Sequence, residues 1–131
     1  MEIEVTSGTI ATLLEEAELA LPRECCGLLL GLGDLVIRAV PAKNVHPDPA
    51  RHFEIDPLAL IAAHKAARGG GPQVLGYYHS HPNGRAGPSE TDRQQAAGDG
   101  RIHAIVAAGA VTWWLDGKEG FEALPTRLAG G

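Results

Sequence analysis

Chain breakers recur at short intervals throughout these 131 residues: there are 17 glycines and 9 prolines. Secondary elements must therefore be short and turns many. No apolar run approaches the roughly 20 residues that a membrane helix needs. The opening MEIEVTSG lacks the basic-then-apolar pattern of a secretory leader. Hydrophobic residues at 44% and charged residues at 21% suit a globular chain and exclude a disordered one. The net charge of −5 argues against a nucleic-acid groove as the main surface. Cys25 and Cys26 are adjacent. Vicinal disulfides are strained, so both read as reduced thiols, and the expected location is the cytoplasm.

Between the breakers, two periodicities alternate. Ile10, Leu13, Leu14, Ala17 and Leu21 recur at helical spacing after a Thr6/Ser7 cap, and Pro22 stops that helix. Short apolar strands are expected at 25–30 and 35–40, joined by a turn at Gly33-Asp34. A proline-rich loop spans 41–51, with a short strand at 53–55. Asp56 and Pro57 open a second helix that runs to about Arg68. A strand at 74–81, a Gly/Pro loop at 82–88 and a helix at 89–97 follow, then strands at 102–107, 111–115 and 121–124. The pattern predicts an α/β fold with a single mixed β-sheet flanked by helices. Residues 1–131 read as one domain, with a core at about 5–125 and a short C-terminal tail. Trp113 and Trp114 should divide between core and exterior, because strand neighbours face opposite ways.

The chemistry concentrates at Tyr77-Tyr78-His79-Ser80-His81-Pro82 and the ten residues after it. His79 and His81 lie two apart on a strand, so both imidazoles project from one face. Pro82 ends the ladder there and leaves the pair at a strand end, within reach of a ligand. Ser89 and Asp92 are one helical turn apart at the start of the next helix. Ser-x-x-Asp at that place is also a common capping box. If the loop folds back, Asp92 joins the two histidines, and two nitrogens with one oxygen make the ligand set of a catalytic zinc.

His79-x-His81, seven residues, Ser89, two residues and Asp92 resembles the JAMM (MPN+) metallopeptidase motif at every spacing. Pro22-Arg23-Glu24-Cys25-Cys26-Gly27 resembles the upstream glutamate motif of the compact prokaryotic members, and the stretch from Asn44 through Phe53 to Asp56-Pro57 is similar to theirs. The resemblance covers roughly residues 5–116. It implies the JAMM/MPN, cytidine-deaminase-like architecture. It implies one Zn²⁺ per chain held by His79, His81 and Asp92, with Glu24 as general base and proton carrier. Ser89 would donate to the oxyanion. The reaction implied is hydrolysis, without an acyl-enzyme, of the peptide or isopeptide bond after the Gly-Gly tail of a ubiquitin-like protein. A sulfur-carrier adduct or a conjugate is the expected substrate form. A homodimer is open; nucleic acid and membrane are not expected partners.

With Glu24 aimed at the metal, Cys26 shares its face and Cys25 turns into the core. The substrate groove is expected between loops 41–53 and 82–88, with Gly84 and Gly87 allowing close backbone approach and His46 and His52 at its entrance. His64 and His103 read as surface or core residues. The terminal Gly130-Gly131 resembles a ubiquitin-type tail and could occupy this chain's own groove or a neighbour's. Three other readings exist. A non-catalytic MPN scaffold would have lost ligands, and all five positions are present. A RadC-like DNA-associated protein would carry a further N-terminal module and a less acidic surface. A zinc deaminase would need His-x-Glu and Pro-Cys-x-x-Cys, which are absent.

Overall fold

In the computed structural model, which describes residues 1–130, eight strands form one mixed sheet in the order β7-β6-β5-β4-β2-β3-β1-β8. They are β1 (Ile3–Val5), β2 (Cys26–Leu32), β3 (Leu35–Ala42), β4 (Gln73–Ser80), β5 (Ile102–Ala107), β6 (Ala110–Gly117), β7 (Gly120–Ala123) and β8 (Thr126–Leu128). Three helices flank it: α1 (Ser7–Ala20), α2 (Pro57–Arg68) and α3 (Glu90–Gln95). Hairpin neighbours pair antiparallel, whereas β4 runs parallel to β5, and β1 runs parallel to both β3 and β8. Among the described residues, no helix is long and apolar enough to cross a membrane.

Alternation sorts the strands into two faces. Leu29, Val36, Tyr78, Ala104, Val106 and Trp113 face α1, which inserts Leu13 among them. Cys26, Leu28 and Tyr77 face the other way and pack under Leu60 and Ala63 of α2. A bulge in β4 opposite Leu29/Leu30 resets the alternation, so Val74 also faces α2. α1 starts at Thr6, whose hydroxyl accepts from the Thr9 amide at 3.2 Å; α2 starts at Asp56, which accepts from the Leu58 amide at 3.0 Å. Gly27 admits no side chain, since a Cβ there would collide with the Val40 carbonyl and the Tyr78 ring.

The structure corrects several expectations at their edges. The core does not begin at residue 5: Ile3 and Val5 are both fully buried, and Glu2 and Glu4 alternate outward between and before them. The segment just before Gly130 also joins the sheet. Residues 126–128 pair with β1, the Ala129 amide bonds to the Val5 carbonyl, and Arg127 reaches Glu4 at 2.7 Å. This edge lies four strands from β4, roughly 19 Å at about 4.8 Å per strand. The expected role of the Gly130-Gly131 end in a groove rests on Gly131, which lies outside the described residues. Residues 53–55 form only an isolated bridge, Asn44 to Ile55, and α3 stops at Gln95 because Ala96 turns extended.

Candidate metal centre

The cradle lies where β4 ends. His79 sits between Cys26 of β2 and Ile105 of β5 in register, with Tyr78 turned to the opposite core. His81 follows one residue past the strand, its amide still bonded to the Val106 carbonyl at 2.9 Å. Both imidazoles are buried, and their Nε2 atoms stand 2.9 Å apart. Phe53 stacks on the His79 ring, centroids 4.2 Å apart and planes within 16°.

The segment after His81 is a tight return. Asn83 accepts from the Arg85 amide at 3.0 Å, Gly84 adopts φ +82°, and the Arg85 carbonyl arrives 2.8 Å from His81 Nδ1. A carbonyl only accepts, so Nδ1 carries the proton and Nε2 presents its lone pair. Gly84 is therefore required by its backbone angle, not by close approach: nothing lies within 4 Å of where its Cβ would be.

Asp92 completes the group. Its Oδ2 is 3.1 Å from each Nε2 and accepts from the Ser89 amide at 2.9 Å, while the Asp92 amide donates to Ser89 Oγ at 3.0 Å. Ser89-x-x-Asp92 is thus a capping box and a convergence point at once, through one carboxylate oxygen. Burial pushes the Asp92 carboxyl up, but the two imidazoles and the Ser89 amide outweigh it and hold it well below the usual range. In the neutral tautomers only His79 Nε2 can supply a proton among these three atoms. Three such atoms crowded around at most one shared proton suit a cation. Tetrahedral zinc with bonds of about 2.0–2.1 Å places its ligand atoms about 3.3 Å apart. The observed triangle, with sides of 2.9, 3.1 and 3.1 Å, is near that size.

Glu24 is buried, and its carboxylate lies within 4.8 Å of the ligand nitrogens of His79 and His81. Burial pushes its pKa up to about 7, against the opposing pull of His81, in the range that suits a group exchanging protons near neutrality. Asn44 holds this side in place. Its amide nitrogen donates to the Glu24 carbonyl at 3.1 Å and the His52 carbonyl at 3.0 Å, and its oxygen accepts from the amides of His46 and Glu54. The Glu24 amide donates to the Pro49 carbonyl at 2.7 Å. The sequence marks Asn44 only as the start of a family-like stretch; its bonding role is not local, because its partners come from both sides of it, 2 to 20 residues away.

Among the depressions beside the cradle, two bear on the site. One, between loops 41–53 and 82–88, is lined by Glu24, Arg51, His81, Asn83, Arg85 and Ser89. The other lies under α3 and is mainly apolar, walled by Phe53, Tyr77, His103, Trp114 and Phe121. His52 stands near Glu24 and packs against His46, centroids 4.9 Å apart. Trp113 is in the core and Trp114 half-buried in the apolar depression. Cys25 and Cys26 are free, buried and on opposite faces, and burial pushes the Cys26 thiol up to about 12.

The model of the prokaryotic homologs of the JAB domain matches residues 6–116, a span that holds Glu24 and the whole cradle. The chain belongs to this family. Prokaryotic JAB-domain proteins are compact members of the JAMM/MPN group. Over 88 residues, 67% of this chain, it is 46% identical to a probable TtuB-protein conjugate cleaving protease of Thermus thermophilus. Over 86 residues, 64% of the chain, it is 37% identical to the desampylase of Haloferax volcanii. The matched parts make up 56% and 62% of those two relatives' lengths. A solution structure from Desulfitobacterium hafniense matches with a TM-score of 0.85 at 32% identity, covering 98% of this chain and 94% of the other. The fold is also that of a JAB1/MPN domain protein from Archaeoglobus fulgidus: TM-score 0.63 at 23% identity, covering 96% of this chain and 97% of that one.

Proposed function

We propose that this JAB-domain chain is a zinc metallopeptidase that hydrolyses the bond after the C-terminal Gly-Gly of a ubiquitin-like protein, with a sulfur-carrier adduct or a protein conjugate as substrate. The observation that carries the reading is the cradle itself: two imidazole nitrogens and one carboxylate oxygen, 2.9–3.1 Å apart, with a buried glutamate beside them. His79, His81 and Asp92 would hold one Zn²⁺ per chain. When bound, the metal supplies a Lewis acid that acidifies water and polarises a carbonyl.

Glu24 accepts the proton of the attacking water as its oxygen bonds to the carbonyl carbon. It returns that proton to the amine as the C–N bond breaks. The Ser89 hydroxyl uses its oxygen to accept from the Asp92 amide, and its own proton is left to donate to the developing oxyanion. The groove between loops 41–53 and 82–88 would take an extended glycine tail, which can follow a narrow path beside a sheet by main-chain hydrogen bonding. The names of the Thermus and Haloferax relatives support conjugates of ubiquitin-like proteins as the substrate class. The two buried free thiols support a reducing compartment, and we assign the cytoplasm. We take residues 1–131 as one catalytic domain. The assembly state, homodimer included, is to be read from sedimentation.

The test is direct. Purified chain should carry about one zinc. Ubiquitin-like carriers extended by cysteine, by a peptide or by a lysine isopeptide should be cleaved without chelator and not with it. Glu24→Gln should keep the zinc and lose turnover by at least about 100-fold. An active Glu24→Gln enzyme would refute the base, and a wild-type chain that binds no zinc would refute the reading.

A further inference from the structure

The helix that brings Asp92 to the cradle is too short to place itself. α3 has six residues and none is buried, and a helix of that length is unstable alone. Its position relative to β4 must come from whatever grips the chain on either side of it.

One face of β6 does so at both ends. Thr112, Trp114 and Asp116 alternate along the strand and share a face, while Trp113 lies in the core on the other. The Thr112 hydroxyl donates to the Ala86 carbonyl at 2.6 Å, three residues before Ser89. Trp114 Nε1 donates to that same hydroxyl oxygen at 2.9 Å and so directs its proton outward to Ala86. Gly87 rests over the Trp114 ring, with its absent Cβ 4.0 Å from Cζ2. At the far end Asp116, 1% exposed, takes the Ala97 amide on Oδ2 and the Gly98 amide on Oδ1, both at 3.1 Å. Its main chain also pairs with Gly100 and Arg101, and His103 Nε2 stands 3.8 Å from Oδ2. A carboxylate buried this deeply is costly unless its bonds are made. An apolar residue would fill the space, but it could not grip two amides.

We propose that Thr112 and Asp116 are positioning residues that clamp residues 86–98 between them, fix Asp92 Oδ2 against the two imidazoles and thereby set the affinity of the cradle for zinc. This rests on the metal-binding part of the reading above. Neither residue touches the cradle; each acts through the backbone that carries Ser89 and Asp92.

The test measures zinc affinity by competition with a chromophoric chelator, together with the thermal unfolding of the metal-free proteins. Thr112→Val and Asp116→Ala should each weaken zinc about tenfold, the lower end of the range for residues that orient ligands. Thr112→Ser, which restores the hydroxyl, should bind as wild type, and Asp116→Asn, which keeps one acceptor, should fall between. Leu115→Ala, on the core face of the same strand, should lower the unfolding temperature without changing zinc affinity. Wild-type affinity in Thr112→Val and Asp116→Asn overturns the clamp, whatever becomes of Asp116→Ala. So does an equal loss of zinc in Leu115→Ala. A wild-type chain that binds no zinc overturns the metallopeptidase reading and this inference with it; a wild type that binds zinc with indifferent variants overturns this inference alone.

Discussion

The cradle is assembled from two halves held in different ways. His79 belongs to β4, which has β2 on one side and β5 on the other, and His81 is still tied to β5 by its amide. Their nitrogens point together because strand geometry leaves no alternative. Asp92 sits on a six-residue helix without a buried residue and Ser89 caps it, the pair fixed by a capping box and by the bonds at 86 and 97–98. One half is placed by the sheet and the other by a few discrete hydrogen bonds. Substitutions in the first half should therefore damage fold and metal together. In the second they should separate metal affinity from global stability.

The largest effect tests that division at the ligands. His81→Ala removes a proposed metal nitrogen and the anchor for the Arg85 carbonyl, so zinc should be lost on desalting and the metal-free protein should unfold at a lower temperature. Asp92→Asn keeps an oxygen for the Ser89 amide and removes the charge. It should lose zinc as well, with an unfolding temperature within about 2 °C of wild type, as for substitutions that break no packing. Metal analysis after desalting and a thermal melt read both quantities. If Asp92→Asn melts as low as His81→Ala, the two halves are not held differently.

A smaller effect separates the capping role of Ser89 from its proposed role as oxyanion donor. Ser89→Ala deletes the cap, a cost of about 1 kcal/mol, and should weaken zinc about fivefold if that cost falls on the helix carrying Asp92. Asn is as good a cap as Ser, so Ser89→Asn should recover the affinity. Neither variant has the hydroxyl, and both should lose turnover by about 100-fold or more. Chelator competition and steady-state rates separate the outcomes; a Ser89→Asn enzyme at wild-type rate would show that the hydroxyl is not the oxyanion donor.

The same division explains what could be read from the chain without its fold. The histidine pair was legible because alternation is a local rule, and Glu24 because its motif is local too. Ser89-x-x-Asp92 was legible as a cap or as a ligand pair, but that one oxygen serves both only appears once the loop has folded back. The grips of Thr112 on Ala86 and of Asp116 on Ala97 were not legible: each joins residues 19 to 26 positions apart, and no periodicity records that. β1 and β8 are not legible for another reason. Three residues are too few to establish a period, and β8, exposed along its length, has no apolar face to declare it. The Glu2-Ile3-Glu4-Val5 alternation was the available signal for β1.

Glu24 belongs to neither half, which gives the smallest expected effect on the metal. Asn44 ties the Glu24 carbonyl to loop 46–54 through four hydrogen bonds, none of them to His79, His81 or Asp92. Asn44→Ala breaks all four and leaves backbone groups to find water. At about 0.5–1.5 kcal/mol each before relaxation, the net loss should be about 2 kcal/mol, a fall of roughly 8 °C in unfolding temperature for a domain of this size. Zinc affinity should not change, because His79, His81 and Asp92 are positioned by β4 and by β6. Turnover should drop, because the proposed base is no longer held beside them. If Asn44→Ala instead loses zinc in proportion to its lost stability, then the cradle is sensitive to any weakening of the fold. In that case the distinction between a sheet-placed half and a hydrogen-bonded half does not describe how this site is built.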